Sequence, residues 1–152
     1  MYYSKNIFLL FIVLLMAIGC KKEDDFKAVD DKIINNYLKE ENLTAHKTES
    51  GLYYIINSPG VFPKPSINSR VTVHYTGYLT THKVFETTEG GDPVTFKLTD
   101  VIEGWQEGLQ LFGTGGSGIL LIPSHLGYGS TIMPGIPANS VLIFDIRLIK
   151  VE

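Results

Sequence analysis

The sequence predicts an α+β fold: an antiparallel sheet of five or six strands wrapped over one central helix, with a short helix in front. Three observations carry this. From Gly51 onward, strand-like runs with apolar and polar residues in alternation outnumber helical ones. Only one segment in that region, residues 102–111, repeats its apolar residues at helical spacing. No strand–helix–strand alternation appears, which points away from a parallel sheet.

The elements follow in order. Residues 1–5 carry one positive charge and residues 7–18 are apolar without a break. A bilayer span needs about 20 residues, so the run has the length of a signal-peptide core. Gly19 and the sole cysteine, Cys20, follow at once. Without residues 1–19 the chain has 12 basic and 16 acidic residues, a formal charge of about −4. That balance offers no basic face for nucleic acid. In residues 26–42, Phe26, Val29, Ile33, Ile34, Tyr37 and Leu38 recur at three- and four-residue spacing, the mark of an amphipathic helix. Asp24 and Asp25 suit its N-terminal cap. The helix is barely two heptads long, so a docked helix or a spacer fits it better than a dimerisation helix.

Residues 52–56 read as a strand, closed by Asn57-Ser-Pro-Gly60, and 61–69 as a proline-broken loop. Residues 70–79 form a long strand with Val71, Val73 and Tyr75 on one face and His74 on the other. Short strands at 83–87 and 94–98 flank a turn at Gly90-Gly91. Asp100 is placed to cap the helix at 102–111, whose residues Ile102, Trp105, Leu109 and Phe112 share one side. Residues 119–122 form a buried strand and 141–151 the last one. The intervening loop, 123–140, is rich in Gly and Pro, and long ordered loops in compact domains tend to be functional. About 100 residues from Gly51 suffice for one modest core.

Five aromatic residues, Tyr75, Phe85, Trp105, Tyr128 and Phe144, each end a strand-like run or stand beside a glycine. None has a neighbouring nucleophile, metal cluster or phosphate loop. If the five converge they build a dry pocket, which suits binding or conformational catalysis rather than bond cleavage. His46, His74, His82 and His125 lack metal-ligand spacing, and no cofactor is implied. Gly113-x-Gly115-x-x-Gly118 satisfies a dinucleotide fingerprint by letter, but it follows a helix and precedes a strand, the reverse of the required order. It reads as a flexible loop. Asn42-Leu-Thr44 is a glycosylation sequon by letter only.

Seven pieces stand in register along the chain: Val-x-Val-His-Tyr-Thr-Gly at 71–77, Val-Phe at 84–85, Val-Ile-x-Gly-Trp-x-Glu-Gly-Leu at 101–109, Ile-Pro at 122–123, Tyr-Gly at 128–129, Ile-Pro at 136–137 and Leu-x-Phe-Asp at 142–145. On these, residues 51–152 resemble an FKBP-type peptidyl-prolyl cis-trans isomerase domain. The resemblance implies an antiparallel sheet curled around the helix, with a pocket between them. It implies that Tyr75, Phe85, Val101, Ile102, Trp105, Tyr128, Ile136 and Phe144 line that pocket, with Trp105 as floor. The Ile102 N–H and the Tyr128 hydroxyl would hydrogen-bond substrate carbonyls, and the loop holding Tyr128, Met133 and Ile136 would be a flap. Proline-containing polypeptides, and macrolides of the type this family binds, are the implied ligands. The chain departs from the family pattern at five places. Glu86 stands where aspartate is usual, Val94 where many members have phenylalanine, and Met133 where eukaryotic members often have histidine. Leu98-Thr-Asp100 lacks the family's glycine, and residues 113–118 lack its basic residue. Two functions are open: an isomerase for exported proteins, with Tyr75, Phe85, Glu86, Ile102, Trp105, Tyr128 and Phe144 as its catalytic set, or a proline-peptide-binding module with negligible turnover.

The string Met16-Ala-Ile-Gly-Cys20 resembles a bacterial lipoprotein signal, with Ala17 where leucine is commoner. The alternative is a free thiol in an ordinary signal anchor. The lipoprotein reading divides the chain into a signal peptide at 1–19, a lipidated Cys20 with linker and helix at 20–50, and the isomerase-like domain at 51–152. Lys21 after the cysteine argues against retention in an inner membrane. The run Lys21-Lys-Glu-Asp-Asp25 resembles a surface-export tag or is a solvated tether. The expected location is the outer membrane of a Gram-negative envelope, facing periplasm or exterior.

Overall fold

The structure, a computed structural model, describes residues 26–152. Helix α1 spans residues 26–40. Strands β1 (His46–Lys47), β2 (Tyr53–Ser58), β3 (Arg70–Leu79), β4 (Val84–Thr87) and β5 (Val94–Lys97) follow. A 3₁₀ turn at Leu98–Asp100 leads to helix α2 (Glu103–Gly108) and a second 3₁₀ turn at Leu109–Leu111. Strand β6 (Ser117–Ile122), a 3₁₀ turn at Ser124–Leu126 and strand β7 (Leu142–Val151) complete the order. The α+β antiparallel sheet around one helix, preceded by an N-terminal helix, is as the sequence predicts. The strand count rises to seven, in the order β1-β2-β6-β7-β3-β4, with β5 on β3. All pairs are antiparallel.

Strand β3 organises the sheet. One edge pairs with β7 over its whole length, from Val71↔Val151 to Leu79↔Leu142. The other edge is shared end to end by β5, from Arg70↔Lys97 to Val73↔Val94, and β4, from Thr76↔Thr87 to Tyr78↔Val84. The sheet buries both faces, but not equally. Leu120, Ile122, Leu142, Phe144, Ile146 and Leu148 meet Trp105, Leu109 and Phe112 on the α2 side. On the opposite face Tyr53, Leu121, Val141 and Ile143 meet Ile34, Tyr37 and Leu38 of α1. This explains the texture of β7. Residues 141–144 are apolar without a break where helices cover both faces, as in any strand buried on two sides. Beyond them Asp145 and Arg147 alternate outward between the buried Ile146 and Leu148. Helix α1 is therefore a docked helix, and the two-residue β1 joins the sheet edge beside it.

Two glycines set how close α2 lies to the sheet. A Cβ at Gly104 would fall 2.5 Å from Ile122 Cγ2, and one at Gly108 would fall 2.5 Å from Leu120 Cδ1. Neither approach is compatible with a side chain there.

Three expectations need correction. Asp100 does not cap α2: two extended residues, Val101 and Ile102, intervene, and Ile102 holds the N-cap position. Asp100 instead accepts a hydrogen bond from the Thr99 hydroxyl at 3.1 Å. The helix is shorter than the periodicity suggests, because its last turn tightens to 3₁₀ at Leu109–Leu111. Residues 113–118 are not a loose loop. Gly113 N–H donates to Pro59 O at 2.8 Å, Gly115 N–H to Leu148 O at 2.7 Å and Leu148 N–H to Gly116 O at 2.8 Å. The glycines serve close backbone contact rather than flexibility.

Ile34, on α1, is fully buried against the sheet. Ile34→Ala is expected to lower the denaturant-unfolding free energy by about 3 kcal/mol, the usual range for emptying a buried aliphatic site. A helix that merely tethered the domain would lose almost nothing.

Candidate functional site

Between α2 and the concave face of the sheet lies a cleft of about 270 Å³, open to solvent. Tyr75, Glu86, Val94, Phe96, Asp100, Val101, Ile102, Trp105, Tyr128 and Phe144 line it. These residues span some seventy positions, and the sheet brings them together by register. Tyr75 on β3 lies opposite Ile146 of β7, and Gly77 lies opposite Phe144, so both rings emerge on the α2 side.

Trp105 is the floor. It is 4% exposed and three rings contact it. Tyr75 is at 4.9 Å between centroids and 89°, Phe144 at 5.1 Å and 81°, and Phe96 at 5.3 Å and 48°. The first two are edge-to-face, the arrangement favoured by the ring quadrupoles. Phe85 stands behind Phe144 at 5.6 Å and 82°. Gly77 makes room for the pair, since a Cβ there would meet Phe85 Cε2 at 2.5 Å and Phe144 Cε1 at 2.8 Å. The Trp105 Nε1 donor is buried with no partner in the structure.

The polar groups are few. Where the β3 ladder breaks between β5 and β4, the Thr88 hydroxyl accepts from the Tyr75 N–H at 2.9 Å, and the Thr88 N–H donates to Tyr75 O at 2.9 Å. Tyr75 is thereby fixed with its ring inward. Its hydroxyl pKa is pushed up, by burial first, then by the charge of Glu86 and a hydrogen bond to that carboxylate. Burial, then Glu86, also pushes up the Tyr128 hydroxyl. Both phenols are protonated donors at neutral pH, as an unshifted tyrosine would be, and the upward shifts extend that range to higher pH. Glu86 thus bonds the Tyr75 hydroxyl and acts on Tyr128 through its charge alone. At the helix end, Ile102 occupies the N-cap position, where the helix ladder supplies no partner for its N–H.

The structure thus gathers Tyr75, Glu86, Val94, Val101, Ile102, Trp105, Tyr128 and Phe144 as the sequence reading expects. Phe85, Met133 and Ile136 do not line the cleft. Phe85 backs Phe144 from outside. Ile136 is buried in the main core, and Met133 pairs with it across the turn at Gly135, through backbone bonds of 3.0 and 2.9 Å. That turn folds the loop tip back on itself, so Met133 is left at the surface. Phe96 and Asp100 were missed. Phe96 had a signal: two residues from Val94 in the same strand, it must share Val94's face. Asp100 had none, since its place depends on the extended turn before α2. His74 lies on the far face, with Nδ1 3.1 Å from the Thr88 hydroxyl. Among the described residues no three His, Cys, Asp or Glu side chains gather into a metal site. Cys20 lies outside the described residues.

A profile of the FKBP-type peptidyl-prolyl cis-trans isomerases matches residues 63–149, more than half of the chain. The chain belongs to this family. The family's FkpA from Aeromonas hydrophila is 41% identical over 134 residues, covering 83% of this chain and 50% of that protein. Among solved structures, FkpA from Escherichia coli aligns with a TM-score of 0.75 at 31% identity, covering 99% of this chain and 74% of that one. A peptidyl-prolyl cis-trans isomerase from Pseudomonas syringae pv. tomato aligns with a TM-score of 0.70 at 32% identity, covering 82% of this chain and 95% of that one. This FKBP-type chain spans about half the length of the curated relatives it matches.

Proposed function

We propose that this chain is a peptidyl-prolyl cis-trans isomerase that assists the folding of exported proteins, acting by non-covalent stabilisation of a twisted prolyl amide. The observation that carries the reading is the convergence of Tyr75, Phe96, Trp105 and Phe144 on one apolar cleft, in a member of a family named for this activity. Rotation about a peptide bond faces a barrier of ~18–20 kcal/mol because it removes amide resonance. The twisted amide has lost the charge separation of the planar form, and water stabilises the planar form better. A floor and walls of rings therefore favour the twisted state over the planar one, which is differential binding of the transition state. A thousandfold acceleration requires about 4 kcal/mol, within reach of one well-filled apolar pocket.

The polar rim supplies orientation. In this reading the Ile102 N–H and the Tyr128 hydroxyl hold carbonyls flanking the proline while the amide turns. Glu86 orients Tyr75 and keeps the rim acidic. Macrolides of the kind the family binds would occupy the same cleft. A second reading, a proline-peptide-binding module with negligible turnover, draws on Val94. This small residue is 42% exposed at the rim and leaves the wall lower than a ring would.

The N-terminal segment supports a reading of the location. Cys20 follows a twelve-residue apolar run and Gly19, and stands six positions before Phe26, the first described residue. We infer that Cys20 is lipidated after removal of residues 1–19, and that the domain is held at a bacterial envelope membrane. A single acyl chain binds weakly, whereas several hold stably.

A proline-peptide isomerisation assay decides between the two readings. Wild type is expected to accelerate exchange, Phe144→Ala to lose about a hundredfold in kcat/KM, and Tyr128→Phe about tenfold. Turnover at the uncatalysed rate with retained peptide affinity would establish the binding module instead. For the anchor, metabolic labelling with palmitate and membrane fractionation should place wild type in the labelled, membrane-bound pool. Cys20→Ala should be absent from it. Equal distribution of the two proteins would rule lipidation out.

A further inference from the structure

The loop bearing Tyr128 is tied to α1 through one buried pair. Asp30, on α1, is 1% exposed and Ser124, at the start of the loop, is 2% exposed. Asp30 Oδ2 accepts two hydrogen bonds from Ser124, from the backbone N–H at 2.8 Å and from the hydroxyl at 2.6 Å. A carboxyl buried this deeply persists only where such donors meet it. The Ser124 carbonyl in turn accepts from the Gly127 N–H at 3.0 Å and the Gly129 N–H at 2.8 Å. These are the two residues on either side of Tyr128. The far side of the loop closes through the Asn139 N–H on Gly129 O at 2.7 Å. Ser124 is thus a hub: its donors are spent on α1 and its acceptor grips both flanks of Tyr128.

We propose that Asp30 is a positioning residue for the isomerase site, acting through Ser124 to fix the Tyr128 hydroxyl at the cleft. This rests on the isomerase reading above. The segment before Gly51, which the sequence presents as linker and spacer, then contributes to the chemistry without touching substrate. A hydroxyl held by a rigid turn meets a carbonyl already oriented, and displacement of such a group by an ångström is enough to degrade catalysis.

A double-mutant cycle on the full chain tests this. Asp30→Ala should lower kcat/KM about tenfold in the wild-type background and less than about twofold in a Tyr128→Phe background. Its loss of thermal stability should be the same in both. Asp30→Asn retains an oxygen that both Ser124 donors can reach, and should stay within about threefold of wild type. Amide exchange at Gly127 and Gly129 should accelerate in Asp30→Ala while the amide of Trp105 stays protected. Equal losses of kcat/KM in the two backgrounds, or a folded Asp30→Ala protein with wild-type kcat/KM, would overturn the proposal. Should Asp30→Ala fail to fold, Ser124→Ala removes one of the two bonds, leaves α1 packed, and takes its place in the cycle. If wild type shows no turnover, the isomerase reading fails on its own. The same cycle, read on the dissociation constant of a proline peptide, then decides the positioning role.

Discussion

Everything in the cleft depends on the seat of one indole. Trp105 belongs to the core by burial and to the site by position, and the same contacts serve both. Gly104 and Gly108 let α2 lie against β6, which sets the depth of the floor. Tyr75, Phe96 and Phe144 then close on the indole from three directions, within about 5.3 Å. Two of the three contacts are edge-to-face, so each ring restricts its neighbours' rotation. A pocket built this way has an apolar floor and ring walls although the cleft itself is open to solvent.

The opposite face of the sheet has a different task. Helix α1 covers Tyr53, Leu121 and Ile143, and so turns an antiparallel sheet with one wet face into one buried on both sides near β6 and β7. Further polar contacts hold this layer at its edge. Tyr53 donates to Asp31 Oδ1 at 2.5 Å, Lys47 bonds the same carboxylate, and Asn35 Nδ2 donates to the Tyr53 hydroxyl at 3.0 Å. On the same side, His125 Nε2 lies 2.9 Å from Ser50 O. The segment ahead of Gly51 is thereby bonded to the turn that opens the Tyr128 loop.

Much of this was legible in the sequence, for identifiable reasons. Strand β3 came out with its full length because alternation of Val71, Val73 and Tyr75 is unambiguous for a half-buried strand. The apolar stripe and shortness of α1 left a docked helix and a spacer both open, and the burial of Ile34, Tyr37 and Leu38 against the sheet decides for docking. Phe96 was recoverable from its two-residue spacing to Val94. What failed to show were features that depend on distant backbone. The glycines at 113–118 look permissive in sequence, yet the amides of Gly113 and Gly115 are spent on the Pro59 and Leu148 carbonyls and that of Gly116 on Gly113 O. Asp100 matched a cap signature that two extended residues cancel. The Asp30–Ser124 pair joins positions 94 apart, and no local pattern announces it.

In the proposed reaction apolar surroundings, rather than proton transfer, lower the barrier. The phenols at the rim are protonated at neutral pH, as any tyrosine is, and burial pushes their pKa values further up; in that proposed reaction they orient, and neither carboxylate lining the cleft, Glu86 or Asp100, acts as a base. The solvent deuterium isotope effect on kcat/KM for a proline peptide tests this most directly. A value of about 1, flat across the neutral range, is the predicted result; a value of about 2 or more with a bell-shaped pH profile would mean that a proton moves in the transition state and would contradict the account.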